Sequence, residues 1–207
     1  IPYPPPLVLG HEAAGVVVEV GEGVTAFKEG DHVVRTFISM CGKCSQCVRG
    51  RPVLCENARK AMFNLPDGTV RTKGADGEPL NVFGACGVMA EFATMHVDNC
   101  VKVDESVPMQ NAALVGCAVM TGTGAVLNTA RIAAGESVAI FGLGGVGLCG
   151  VMGAKASGAE TIIAIDLTEA KRAKALSIGG LFQEADDFVP ASIRYSDGEV
   201  VSSAKVK

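Results

Sequence analysis

Residues Ser137 to Asp166 read SVAIFGLGGVGLCGVMGAKASGAETIIAID, and this stretch decides the fold. An apolar run with β-branched residues, Ser137 to Phe141, feeds directly into Gly142-Leu143-Gly144-Gly145-Val146-Gly147. A small-residue, helix-compatible segment follows, then a second β-type run, Thr161 to Ile165, closed by Asp166. Strand, glycine turn, helix, strand and terminal acid in that order are the fingerprint of a dinucleotide-binding βαβ unit. Gly142 permits the tight turn, Gly144 lets backbone approach a pyrophosphate, and Gly147 lets the helix pack close to the sheet. The free N–H groups and positive end of the helix then face the phosphates. Asp166, 24 residues beyond Gly142, is spaced to reach the hydroxyls of an adenine ribose. Its charge favours NAD over NADP, because a 2′-phosphate would meet a carboxylate; Arg172 on the next helix is a weak objection. A glycine turn alone also occurs in plain structural loops, so the weight lies in the whole succession.

Working outward, the 207 residues suffice for one large domain or two modest ones. A net charge of −4 without a basic block argues against a nucleic-acid or anionic-membrane surface. Apolar residues make up 48% with no Trp and two Tyr, which requires an aliphatic core. The chain opens without a charged leader and apolar signal core, and no apolar run approaches the roughly 20 residues of a membrane span. A soluble, cytoplasmic protein is expected. Eight cysteines in that setting favour metal binding or free thiols over disulfides.

Ile1 to Leu9, with four prolines, reads as an extended entry. Gly10-His11-Glu12 precedes Ala14 to Val20, a Val-rich run expected to be a buried strand, and His32 to Thr36 reads as a second. Glycine turns between them suggest an all-β module. Asn57 to Gly87 reads as a long surface loop with one hairpin, and strand character resumes at Val88 to Met95 and Cys100 to Val103. Val107 to Ala130 favours helix, with a break expected near Gly122. Beyond Asp166, Leu167 to Gly179 has helical spacing ending at Gly179-Gly180, and Asp187 to Ala191 reads as a third strand. Tyr195 to Lys207 is polar without clear period.

Cys41, Cys44, Cys47 and Cys55 fall within 15 residues, among Gly, Lys, Gln and Arg. They read as thiolates converging on one metal, and zinc suits a small lobe closed by a thiolate tetrahedron. A ferredoxin-type cluster also starts with two C-x-x-C steps, but its fourth Cys normally follows after three residues and precedes Pro. Here the gap is seven and Cys55 precedes Glu56. His11 by itself reads as a turn or core histidine as readily as a ligand, and Cys117 as a small core hydrophobe. Cys86, Cys100, Cys149, His32 and His96 read as structural.

Taken together, these motifs resemble, in their order, those of the zinc-dependent medium-chain alcohol dehydrogenases, from about Ile1 to Gly179. Gly10-His11-Glu12 is similar to the family's catalytic-zinc histidine and the glutamate behind it, and Gly116-Cys117 to the segment with another catalytic-zinc cysteine. Cys41, Cys44, Cys47 and Cys55 match its structural zinc lobe; Gly142, Gly144, Gly145, Gly147 and Asp166 match its NAD fingerprint. The resemblance implies that Thr121 and Val146 flank the nicotinamide, that Lys171 lies near the adenosine ribose, and that Phe37 lines the substrate pocket.

The implied fold is α/β: residues 1–118 form a partial, GroES-like all-β catalytic domain with a zinc lobe, and residues 119–207 the first half of a Rossmann NAD-binding domain. The family's first catalytic cysteine and its proton relay correspond to positions upstream of Ile1, so a piece lacking both ends is expected. The implied activity is reversible hydride transfer between an alcohol and NAD, with one catalytic and one structural zinc. A small alcohol or aldehyde is the implied substrate, and a homo-oligomer the implied full-length state. A catalytically incomplete zinc- and nucleotide-binding fragment is the main alternative, and an iron–sulfur carrier the other.

Overall fold

The computed structural model describes residues 5–58, 63–178, 192–194 and 200–203, and the chain divides into two units, Ile1–Met120 and Thr121–Lys207. In the first, β1 (Leu7–Val8) pairs in parallel with β4 (Asn81–Val82). A three-stranded antiparallel sheet runs β2 (Ala14–Val16), β3 (His32–Arg35), β5 (Cys100–Lys102), with β3 in the centre. Central position explains why Val33, Val34 and Arg35 are all buried. The Val-rich run after Glu12 forms strand only over Ala14–Val16, and Val18 is 61% exposed, so the expected buried strand to Val20 is corrected. Its hairpin continues through backbone bonds from Val17 to Asp31 and from Gly30 to Val17, with Gly30 at φ +86°.

The cysteine lobe carries one helical turn, α1 (Ser45–Val48), and a 3-10 turn, Pro52–Leu54. The expected surface loop to Gly87 turns inward at its end: Val82, Gly84, Ala85 and Cys86 are buried. Val88 to Met95 is irregular rather than a strand; it is tied by N–H bonds from Val88 and Met89 to the carbonyls of Gly10 and Leu9.

A helical run follows, made of α2 (Met109–Leu114), a wide π-type turn (Val115–Val119), α3 (Met120–Gly124) and a second wide turn (Ala125–Ala130). The break expected near Gly122 is absent. A Cβ at Gly122 would overlap the carbonyl of Val146, so this glycine serves close packing within the second unit. Met109–Ala130 spans 22 residues and is long and apolar enough to cross a membrane by length and composition, which corrects the expectation that no such run exists. Gly116 and Gly122 each bring one face of the run onto neighbouring backbone, while Leu114, Met120 and Leu127 on it are exposed.

In the second unit, β6 (Ser137–Phe141) and β7 (Thr161–Ile165) pair in parallel, from Ser137 opposite Thr161 to Phe141 opposite Ile165. They are joined through α4 (Gly145–Ala156), and α5 (Glu169–Ser177) follows β7. Leu143, Val151, Ala154, Ile162 and Ala175 form the buried core, with Val126 from the second wide turn. β8 (Ser192–Arg194) and β9 (Val200–Ser203) pair antiparallel, the latter where the sequence shows no period. The expected third strand at 187–191 and the glycines at 179–180 lie outside the described residues.

Two glycines of α4 differ in what they tolerate. A Cβ at Gly147 would overlap the carbonyl oxygen of Gly142, whereas one at Gly150 would lie 3.6 Å from Ile140 Cδ1, an ordinary contact. Gly147→Ala is therefore expected to cost about 1–3 kcal/mol through overpacking. Gly150→Ala should be neutral or gain up to about 1 kcal/mol of helix propensity. Urea unfolding of the two variants of the intact protein checks the contrast.

Candidate metal and nucleotide sites

The cysteine lobe assembles through turns. Gly42 (φ +69°) and Gly50 (φ +72°) bend the chain on either side of α1, and Ser45 Oγ donates to Glu56 Oε1 at 2.6 Å across the lobe. The four sulfurs of Cys41, Cys44, Cys47 and Cys55 all lie within 4.8 Å of one another, with Cys44 and Cys55 at 3.9 Å. Tetrahedral zinc with bonds near 2.3 Å sets sulfurs about 3.8 Å apart, so the donor set fits that ion. The backbone N–H of Lys43, then the Asn57 side chain, draw the Cys41 thiol down to about 6. The N–H of Cys47 lowers Cys44, while desolvation, then Cys44, push Cys47 up to about 12. Backbone donors aimed at sulfur favour thiolates, and a divalent cation is what lets four of them share one small volume.

A second cluster forms from residues more than a hundred positions apart. His11 and Glu12 precede β2, and the N–H of Arg35 to the carbonyl of Ala13 at 3.0 Å holds that segment along β3. Cys117 sits in the wide turn Val115–Val119. Its approach is set by Gly116, where a Cβ would overlap the backbone carbonyl of Arg35. The ligand atoms of His11, Glu12 and Cys117 lie within 4.8 Å of one another. Glu12 Oε1 accepts the N–H of Ala118 at 2.9 Å, which fixes the carboxylate against the turn bearing Cys117. Imidazole and thiolate are both zinc donors, and a carboxylate beside them supplies an orienting partner.

Aromatic rings wall the histidine. Phe37 stands edge-on to His11 at 5.0 Å between centroids and Phe83 at 5.5 Å. Beneath them Arg35 is buried; Nη1 donates to the carbonyl of His11 at 3.1 Å, and Nη2 donates to the carbonyls of Phe37 (3.4 Å) and Gly84. Burial holds its guanidinium pKa below the ordinary value. Arg35 and Phe83 escaped the reading of the sequence. The signal for Arg35 was a charged residue inside the β-type run His-Val-Val-Arg-Thr, where a buried central strand has no ordinary use for one.

In the second unit Gly142 adopts φ +85° and Gly144 caps α4 without any side-chain bond; a Cβ on Gly144 would meet open space. The uncapped helix start and open backbone form a cradle suited to an anionic group. Asp166, at the end of β7, ties the loop down. Oδ2 accepts the N–H of Leu143 at 2.8 Å, Oδ1 accepts that of Thr168 at 2.8 Å, and Lys171 Nζ lies 3.7 Å from Oδ2. Arg172 turns to the backbone instead, donating to the carbonyl of Asp166 at 2.7 Å. Thr121 precedes the glycine packed on Val146, and both Thr121 and Val146 are exposed.

The alcohol dehydrogenase GroES-like domain family matches residues 1–105. The chain is 39% identical to alcohol dehydrogenase class-3 of Caenorhabditis elegans over 94% of its own length and 50% of that protein's. It is 41% identical to S-(hydroxymethyl)glutathione dehydrogenase of Saccharomyces cerevisiae, over 89% of this chain and 47% of that one. Among solved structures, an alcohol dehydrogenase zinc-binding domain protein from Burkholderia ambifaria aligns with a TM-score of 0.81 and 39% identity, covering 87% of this chain and 50% of that one. Benzyl alcohol dehydrogenase from Acinetobacter calcoaceticus aligns at 0.74 and 34%, covering 88% and 49%. The chain spans about half the length of the curated relatives it matches.

Two expectations follow from this geometry. Glu12→Ala removes the acceptor for the Ala118 N–H, and metal affinity at the His11–Cys117 cluster should fall about 10–100-fold, less in Glu12→Gln, as measured by competition with a chelator. The N–H of Leu143, then that of Thr168, hold the Asp166 carboxyl below its ordinary value. A group depressed in the folded state stabilises it above the unfolded pKa, about 3.9, and that contribution disappears as pH falls through the lower folded value. Asp166→Asn should therefore lower the thermal midpoint at neutral pH, with the difference from wild type closing only in that acidic window.

Proposed function

The chain belongs to the zinc-dependent medium-chain alcohol dehydrogenases, and from that premise we propose that the intact protein transfers hydride reversibly between an alcohol and NAD. The observation that carries the reading is the convergence of His11, Glu12 and Cys117 donors within 4.8 Å, in a chain that also holds a glycine βαβ unit closed by Asp166. In this reading residues 1–118 are the zinc-binding catalytic domain and 119–207 the NAD-binding domain.

When bound, zinc supplies Lewis acidity towards the alcohol oxygen, and NAD supplies the hydride acceptor. His11 would offer a neutral ring nitrogen and Cys117 a thiolate to the catalytic ion. Glu12 keeps the Cys117 turn in place through the Ala118 N–H. Cys41, Cys44, Cys47 and Cys55 would hold the structural ion. Phe37, edge-on to His11, would give the substrate side an apolar wall that excludes water from the carbinol carbon. Gly142, Gly144 and Gly145 would receive the pyrophosphate at the start of α4, Gly147 would let that helix close on the loop, and Thr121 and Val146 would lie beside the nicotinamide. Asp166 would accept ribose hydroxyls, and its charge would favour NAD over the 2′-phosphorylated form; Lys171, 3.7 Å from Asp166 Oδ2, would lie near the adenosine ribose. The substrate is a small alcohol or aldehyde, and the assembled state a homo-oligomer.

The deciding experiment combines zinc content with NADH formation over a panel of primary, aromatic and glutathione-adduct alcohols. A structural and a catalytic zinc per chain with alcohol-dependent NADH formation are expected. His11→Ala should remove the catalytic zinc and lower turnover by at least about 100-fold while the structural zinc stays. A single zinc per chain without turnover would leave only a zinc- and nucleotide-binding scaffold.

A further inference from the structure

Arg35 is 1% exposed in the centre of a valine-rich sheet, and among the described residues no carboxylate pairs with it. Packing alone gives no reason for a guanidinium there, since an aliphatic residue would fill a central strand without burying a charge. Its guanidinium donates to three carbonyl oxygens, those of His11, Phe37 and Gly84, with the Cys86 thiol interacting beside it, and Nε has no hydrogen-bond partner. All three acceptors border one place: His11 is a candidate ligand, Phe37 walls it, and Gly84 follows Phe83, the other wall. The backbone carbonyl of the same residue is the surface on which Gly116 rests, one position before Cys117. One residue thus touches the chain on both sides of the His11–Cys117 pair.

We propose that Arg35 is a positioning residue for the metal centre: its guanidinium fixes the backbone carrying His11 and its two aromatic walls, and its main chain seats the turn carrying Cys117. The inference rests on the reading of His11 and Cys117 as metal ligands. A planar fork that spans several carbonyls suits this task, and a lysine cannot reproduce it. Outer partners of this kind orient ligands and tune metal affinity.

The test uses the intact protein loaded with cobalt(II) and challenged with a chelator, in wild type, Arg35→Met and Arg35→Lys. Metal is expected to leave the His11–Cys117 site about 10–100-fold faster in Arg35→Met, with a changed cobalt spectrum, while release from Cys41–Cys55 stays as in wild type. Arg35→Lys should recover only part of that retention. Wild-type release and spectrum in both variants would overturn the inference, as would equal loosening of both metal sites in Arg35→Lys, which is the mark of a general stability residue. If neither variant folds, the guanidinium resonances of this buried arginine decide: a shift when the more labile metal is withdrawn from wild type supports the role, and no shift overturns it. Wild-type protein that binds a single metal fails at an earlier step and overturns the reading beneath the inference, so the two failures are told apart.

Discussion

A charge kept inside a sheet must find acceptors, and the cost of burying Arg35 orders much of the first unit. The guanidinium gathers carbonyls from the segment before β2, from the end of β3 and from the 3-10 turn at Phe83–Ala85. Those stretches are far apart in sequence and have little regular structure of their own. Their common acceptor role explains why the loop ending at Gly87 turns inward, and why Ala85 holds a positive φ of 64°. The opposite side of the same strand residue is equally constrained, because Gly116 can approach its carbonyl only without a side chain. Sheet, loop and helical run therefore meet at one residue.

The second unit solves its problem with backbone rather than charge. Gly147 lies against the carbonyl of Gly142, and Gly122 against that of Val146, so α4 is held between glycines on two sides. Close approach buries Val151 and Ala154 completely. It also leaves the start of α4 without a side-chain cap, so its first N–H groups are available to an anion. Asp166 joins the two halves of that arrangement: from the end of β7 its Oδ2 holds the glycine loop through the Leu143 N–H, and Lys171 Nζ lies 3.7 Å from the same oxygen.

What could be read from the sequence was what short range dictates. β6 and β7 run over the residues that their β-branched pattern picks out, because both strands are flanked by unambiguous turns. The four cysteines are spaced so closely that their convergence needs no knowledge of the rest of the fold. Long-range readings fared differently. His11 and Cys117 carry no local sign of each other, and only resemblance to a family paired them before their atoms were seen together. Arg35 carries no sequence signal of its role because its main partners are backbone oxygens, which no side-chain pattern reveals. Gly122 was read as a breaker because helix propensity prices an isolated helix, whereas here the missing side chain is what packing requires. Composition favours strand at Val18 and Val88, but Val18 is exposed and Val88 lies in an irregular segment, and β propensity has force only on a pleated, half-buried surface.

The wide turn at Val115–Val119 makes the number of residues in the helical run as significant as their identity. A π-type turn holds one residue more than an α-helical turn, and α2 is anchored against β2 and β3 just before it. Losing a single residue from that turn would restore regular geometry and swing Cys117 about 100° around the helix axis relative to α2. The thiol would then leave the face that Glu12 and His11 share. A change in the number of residues here therefore displaces Cys117 more than a change in their identity, and the spacing from Met109 to Cys117 acts as a fixed length.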